Sequence, residues 1–135
     1  MAASLRLTVV TPERQLIDAE ADEVQVPGLG GYLGILPGHA PMFSELSVGR
    51  LSYTRAGRTR SLAVAGGFVE VLDDQVRVLA DVAESEGDID VARAEDALRR
   101  ARQAPQGSGD PGEYQQALAA ERRALSRLEV AGKKP

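Results

Sequence analysis

What this chain lacks removes several kinds of chemistry. It has no cysteine, no tryptophan and one histidine, with two phenylalanines and three tyrosines among 135 residues. Without cysteine there is no disulfide, no thiolate nucleophile and no thiolate metal ligand, a composition that fits a reducing compartment. A single histidine, His39, makes an imidazole-based metal cluster improbable. No apolar run approaches the roughly 18 residues of a membrane span, and Met1-Ala2-Ala3-Ser4 has no long apolar signal core. The expectation is a soluble protein without direct membrane insertion. Lysine is absent from residues 1–87, where 7 Arg face 12 acids for a charge of −5. Residues 88–135 hold 9 basic against 8 acidic residues, +1, for a total of −4. That balance argues against non-specific nucleic-acid binding, which needs basic patches, and the shift near residue 88 suggests two structural units.

What is there organises itself around Gly30-Gly31-Tyr32-Leu33-Gly34-Ile35-Leu36-Pro37-Gly38-His39-Ala40-Pro41. Gly costs about 1 kcal/mol and Pro about 3 in a helix interior, so this stretch is no helix. It reads as a strand, Tyr32 to Leu36, entering a turn at Pro37-Gly38. Around it the first 87 residues read as all-β. Leu5, Leu7 and Val9 alternate with polar residues until Thr11-Pro12, and Val24 and Val26 do so until Pro27-Gly28. Val48 to Tyr53, a turn at Arg55-Ala56-Gly57-Arg58 and Thr59 to Ala65 form a hairpin. Gly66-Gly67 permits a bulge or a close backbone approach. Phe68, Val69 and Val71 lead to an Asp73-Asp74 turn, and Val76 to Val82 closes the series. Short strands at this spacing predict a sandwich or barrel of antiparallel sheets.

At Asp88 the period changes. Val91, Ala94, Leu98 and Ala101 fall on one helical face up to Arg102, with Asp88 or Asp90 as N-cap. Ala104 to Gly112 is a breaker-rich loop. A second helix over about Glu113–Ala131 places Tyr114, Ala117, Leu118, Ala124, Leu125 and Leu128 on one face, completing an antiparallel αα-hairpin. Its Ala-rich seam, with Glu121 amid the apolar face of the second helix, predicts marginal stability and an ability to open or re-dock.

Chemical candidates are few. His39 as a general base would need a nucleophile or an orienting acid, and spacing names none. Turn hydrogen bonding or surface display is the favoured role. The paired glycines lack the strand–GxGxxG–helix context of a nucleotide fingerprint, and no P-loop pattern occurs. Nothing reads as an enzyme. Arg93 with Arg100, and Arg123 with Arg127, share helical faces; a solvated charged face and an anion site both account for them.

Two motifs carry a resemblance. Gly34-Ile35-Leu36-Pro37-Gly38-His39-Ala40-Pro41 and Gly66-Gly67-Phe68-Val69-Glu70-Val71 are similar to the two signatures of the epsilon subunit of bacterial F-type ATP synthase. Val9-Val10-Thr11-Pro12 matches that family's opening and Val78-Leu79-Ala80 the close of its β domain. The resemblance implies an N-terminal antiparallel β-sandwich of two five-stranded sheets over residues 1–87 and a regulatory helical hairpin over 88–135. It implies a non-catalytic rotor subunit of the central stalk, coupling proton-driven rotation to ATP synthesis. Its partners would be the gamma subunit, the ring of c subunits at the cytoplasmic face of the cell membrane and, transiently through the helices, the alpha/beta head, where it would inhibit ATP hydrolysis. Contacts to gamma and the ring would involve Tyr32, Pro37, Gly38 and His39; the family often carries Glu at the position of Tyr32. No cofactor is implied as required. ATP is implied as a regulatory ligand through Ile89-Asp90-Val91-Ala92-Arg93-Ala94, with Glu84, Arg100, Arg123 and Arg127 at associated positions. The helical wheel sets Arg123 and Arg127 opposite the Leu118–Leu125 face, toward solvent, and so favours Asp90, Arg93 and Arg100 for a ligand. A free-standing ligand-binding sandwich with dimerising helices and an esterase using His39 are the competing readings.

Overall fold

The computed structural model describes residues 3–103 and 111–132. Eight strands come first: β1 (Leu5–Val10), β2 (Gln15–Ala21), β3 (Glu23–Gly28), β4 (Gly31–Ile35), β5 (Met42–Glu45), β6 (Val48–Arg55), β7 (Arg58–Leu72) and β8 (Gln75–Ser85). A single 3₁₀ turn at Glu86–Asp88 then leads to helices α1 (Val91–Arg102) and α2 (Pro111–Val130). Most of the predicted loop, residues 104–110, lies outside the described residues.

The strands form one hydrogen-bonded path, β2-β1-β8-β7-β6-β3-β4, with β5 also on β7. That path folds into two layers because β7 and β8 are long enough to serve both. The first part of β7 pairs with β6 up to Val48↔Ala65, and its last part pairs with β5 from Glu45↔Phe68. The first half of β8 pairs with β1, and its second half continues beside the start of β7. Counted by segments, each layer has five: β2, β1, β8, β7 and β5 in the first sheet; β8, β7, β6, β3 and β4 in the second. The two-sheet sandwich expected from the sequence is present. Its pairing is not wholly antiparallel, however, since β1 and β8 run parallel.

The change of partner on β7 falls at Gly66-Gly67. Gly67 accepts from the Leu46 N–H at 2.8 Å and has φ +113°, where side chains are strained. The two sequence segments Thr59–Ala65 and Phe68–Val71 are therefore one strand bent at its glycines. Turns fall where expected. Ala56 (φ 52°) and Gly57 (φ 80°) close the β6–β7 hairpin, and Asp73 (φ 50°) and Asp74 (φ 60°) close β7–β8, the left-handed pairs that match strand twist. The first of these turns is fixed by Asp22. Its carboxylate accepts from the Ala56 N–H at 2.9 Å and from Arg55 Nη1 at 3.0 Å. That backbone hydrogen bond foremost, with the Arg55 guanidinium, holds the Asp22 pKa below its ordinary 3.8.

Inward residues of both sheets, among them Leu5, Leu7, Val9, Val24, Val26, Ile35, Leu51, Leu62, Val64, Val69, Val71, Val76 and Val78, make one core. The hairpin has its own, smaller one of Ala94, Leu98, Ala124 and Leu128, flanked by Val91, Ala97 and Leu125. A third cluster, Ala63, Ile89 and Val130 with Ala131 beside it, joins hairpin to sandwich. In α1 the N-cap is Asp90, whose side chain accepts from the Arg93 N–H at 3.1 Å. Tyr114 and Leu118, expected in the seam, are respectively exposed and half-buried.

Candidate functional site

Strand alternation turns Val69 and Val71 into the core and Phe68 outward. On the outer face of the first sheet Phe68 stands opposite Leu79 across the β7–β8 ladder, and Leu79 opposite Val10 on β1. Phe43, on β5, stacks on Phe68 with ring centroids 5.3 Å apart. Phe43 is 66 % exposed, Phe68 42 % and Leu79 54 %. Both phenylalanines of the chain are thus spent on a surface instead of the core, where each would contribute most to stability. A contiguous exposed apolar patch of this kind marks a surface that meets a partner.

A second exposed group lies on β3–β4 and the corner that follows. Leu29 is 67 % exposed, Tyr32 58 % and Leu36 57 %. The Tyr32 hydroxyl accepts from the Arg50 N–H at 3.1 Å, so its polar tip serves the fold while its ring faces outward. Gly49 makes room for it: a Cβ there would meet the hydroxyl and Pro27 at 2.8 Å. At the corner the His39 N–H donates to the Leu36 carbonyl at 3.1 Å across Pro37-Gly38, with Gly38 at φ +84°. Gly38 N–H donates to Asp74 Oδ1 at 2.7 Å, tying the corner to the β7–β8 turn. His39 Nδ1 lies 2.7 Å from the Ala40 carbonyl oxygen. No nucleophile or carboxylate is paired with its ring among the described residues, so the geometry holds a turn and no catalytic pair.

The third place of interest is the groove between α2 and the outer face of the second sheet. Val48, Ala63, Ala65, Val82 and Glu84 line it from the sandwich, and Arg123, Ser126 and Arg127 from the helix. Arg127 Nε donates to Glu84 Oε1, both side chains being only partly exposed. Ser126 is 6 % exposed, and its Oγ has no hydrogen-bond partner among the described residues. The predicted solvent-facing position of Arg123 and Arg127 is therefore corrected. The helix has two covered sides, a seam of Ala124 and Leu128 toward α1 and a second side of Ser126 and Val130 toward the sandwich, and the arginines border the second.

The other residues expected to bind nucleotide are spread more widely. Ile89 is buried against Ala63 and Val130, and Ala94 lies in the hairpin seam. Asp90 spends its carboxylate as a cap. Arg93 is exposed, and Arg100 is paired with Asp96 at 3.0 Å on its own helix. Glu84, Arg123 and Arg127 are brought together; among the described residues no hydrogen bond or ion pair joins Asp90, Arg93 or Arg100, favoured from the sequence, to them. Phe43 and Ser126 were not singled out from the sequence, and Leu79 only as part of the Val78-Leu79-Ala80 match. Period-two alternation about Val69 and Val78 would have found the outward-facing Phe68 and Leu79; Ser126 carries no such signal. Among the described residues no group of three or more His, Cys, Asp or Glu could hold a metal, and no helix is long and apolar enough to cross a membrane.

The fold is a small β-sandwich with two outward apolar groups and an appended helix pair, the architecture of a non-enzymatic docking module rather than of a substrate pocket. Residues 4–86 match the family described as ATP synthase, Delta/Epsilon chain, beta-sandwich domain. Residues 88–132 match ATP synthase, Delta/Epsilon chain, long alpha-helix domain. The chain belongs to the delta/epsilon-chain family of ATP synthase, a stalk subunit of the complex and not its catalytic subunit. Its relatives point to one member. The ATP synthase epsilon chain of Solibacter usitatus is 50 % identical over 99 % of this chain and all of its own length. That of Koribacter versatilis is 51 % identical over 81 % of this chain and 77 % of its own. Among solved structures, a chain of the Euglena gracilis mitochondrial ATP synthase, OSCP/F1/c-ring, superposes with a TM-score of 0.82 at 25 % identity, covering 97 % of this chain and 82 % of that one. A chain of the Tetrahymena thermophila mitochondrial ATP synthase central stalk and c-ring shares the fold, at TM-score 0.63 and 14 % identity over 94 % of this chain and 96 % of that one.

Proposed function

We propose that this chain is a non-catalytic rotor subunit of the central stalk, coupling rotation of the c ring to ATP synthesis at the cytoplasmic face of a bacterial membrane. The observation that carries this reading is the Phe43–Phe68 stack with Leu79, an apolar surface on a sandwich whose core is already complete. We assign that face to the gamma subunit, and Leu29, Tyr32 and the Pro37-Gly38-His39 corner to the c ring and its junction with gamma. The mobile element is the hairpin, which in an extended state would reach the alpha/beta head and restrain ATP hydrolysis. Its small seam of Ala94, Leu98, Ala124 and Leu128 supports a pair of helices able to part.

ATP is proposed as a regulatory ligand of the compact state. Arg123, in the groove with Glu84 and Arg127, has no ion-pair partner among the described residues, and the Ser126 hydroxyl beside it is buried without a hydrogen-bond partner; these support a phosphate-binding role there. Arg127 would have to leave Glu84 to join them. The test of the stalk reading is association. Phe43→Ser with Phe68→Ser should weaken binding to a gamma subunit by at least about tenfold, since central apolar anchors contribute about 2 kcal/mol or more. Unchanged binding by the folded variant would refute it. Calorimetric titration tests the ligand: no heat at millimolar ATP, with or without Mg²⁺, removes the nucleotide role.

A further inference from the structure

The joint between hairpin and sandwich is made differently from the seam between the helices. The seam is apolar, with Ala94, Leu98, Ala124 and Leu128 closing on one another. Across the joint, the buried apolar cluster among the described residues is the small one of Ala63, Ile89 and Val130. Elsewhere α2 presents Arg123, Ser126 and Arg127 to Val48, Ala65 and Val82 in place of aliphatic side chains. Among the described residues three ion pairs supply the remainder. Arg127 binds Glu84 near the middle of the joint, and Arg50 Nη1 reaches Glu129 Oε1 at 3.5 Å. Arg14 Nη2 meets Asp88 Oδ2 at 3.2 Å beside the connecting turn. All three connect the sandwich to the segment after it. The Ser126 hydroxyl, left without a partner, subtracts from the same interface, because a buried unsatisfied polar group opposes docking.

Charge and apolar contact respond differently to salt. The Debye length falls from about 8 Å at 0.15 M to about 3 Å at 1 M, so partly exposed ion pairs weaken as salt rises. Burial of apolar side chains is unaffected or strengthened. We infer that the hairpin leaves the sandwich as an intact pair of helices, under electrostatic control, before the helices part. Three species follow: docked, undocked but closed, and open. Ionic strength, or an acidic protein surface that takes Arg127 from Glu84, drives the first step only. This goes beyond the stalk assignment and does not rest on it, because it concerns the isolated chain.

The absence of native cysteine makes the test direct, since introduced pairs label uniquely. Gln25→Cys with Arg122→Cys, both exposed, reports the joint, and Ala92→Cys with Arg122→Cys reports the seam, by spin-label or fluorescence distance in the full-length chain. Between about 0.05 and about 1 M NaCl the undocked fraction should rise roughly fivefold, the sum of three pairs at a few tenths of a kcal/mol each. The seam distance should stay constant over that range. Glu84→Arg should undock the hairpin at low salt, and Glu84→Arg with Arg127→Glu should restore it. A joint insensitive to salt would overturn the inference. So would seam and joint distances changing together, or a charge swap no better docked than the single variant. Circular dichroism of each variant at low salt checks that both helices remain formed, which separates undocking from unfolding.

Discussion

Replacing Gly67 by alanine should be among the most damaging single-methyl changes in the chain. A Cβ built on Gly67 falls 2.0 Å from the Leu79 carbonyl oxygen and 2.9 Å from Ala80 Cα, against 3.4–4 Å for ordinary contact. Both obstacles are backbone, so no side chain can rotate aside; β8 itself would have to retreat by more than an ångström. Gly67↔Ala80 is a rung of the β7–β8 ladder, and retreat there loosens the hydrogen bonds on either side, at about 1 kcal/mol each. The φ of +113° adds about 1–3 kcal/mol for a residue with a Cβ. Together these give a loss of roughly 3–5 kcal/mol, a large fraction of the roughly 5–15 available to a domain. The corresponding fall in melting temperature is on the order of 20 °C. Urea unfolding followed by circular dichroism measures it, with the midpoint moving and the slope unchanged. Two companions calibrate the result. Gly66→Ala (φ +72°) meets only the Asp81 side chain at 2.5 Å, which can rotate away, leaving about 1–2 kcal/mol of backbone cost. Gly34→Ala has nothing within 4 Å and should be neutral or slightly stabilising. If Gly67→Ala costs no more than Gly66→Ala, the close approach of β7 to β8 is not what requires glycine there.

Other perturbations separate the parts of the molecule. Truncation after residue 87 should leave a cooperatively folding sandwich, because among the described residues its core draws on none beyond Ala83; a molten far-UV and near-UV spectrum would contradict this. The same truncation in an assembled complex should raise ATP hydrolysis, and an unchanged rate would remove the inhibitory role proposed for the hairpin. Leu98→Ala removes much of a four-residue core, a loss of about 2–5 kcal/mol. Amide exchange should therefore accelerate across α1 and α2 while the β-core amides keep their protection. Acid stability should report Asp22. Its folded-state pKa lies below the unfolded value, so its contribution is complete above the unfolded pKa near 3.8 and is lost as pH falls through the lower folded value. Asp22→Asn should flatten that acid limb, and an identical pH profile would dissociate the limb from this carboxylate.

Most strands were legible because one face of each is buried, which writes a period of two. Leu5-Leu7-Val9 and Val24-Val26 state it plainly, and Ala56-Gly57 and Asp73-Asp74 mark the turns between. Two strands were not legible. In β2 the alternation of Leu16, Ile17, Ala19 and Ala21 is blurred because an edge strand is covered on only part of one face, and β5 has four residues. The parallel pairing of β1 with β8 joins residues some 70 positions apart, and no local pattern encodes it. The groove beside α2 was misread for a related cause. A wheel finds one apolar stripe, whereas α2 is covered on two sides, and its second side is written in Arg123, Ser126 and Arg127. Polar residues on a helix face look alike whether water or a carboxylate such as Glu84 meets them.

The two long strands have a mechanical consequence. In a sandwich built from separate strands, the layers are free to shear over one another, resisted only by side-chain packing. Here β7 and β8 run through both layers, so sliding would require bending both strands and breaking ladder hydrogen bonds where they cross. From Phe43 and Phe68 on one layer, covalent chain and ladder hydrogen bonds run to Tyr32 at the far edge of the other. The two layers are thereby joined through the main chain itself, whereas the hairpin is held to them by the connecting turn and side-chain contacts.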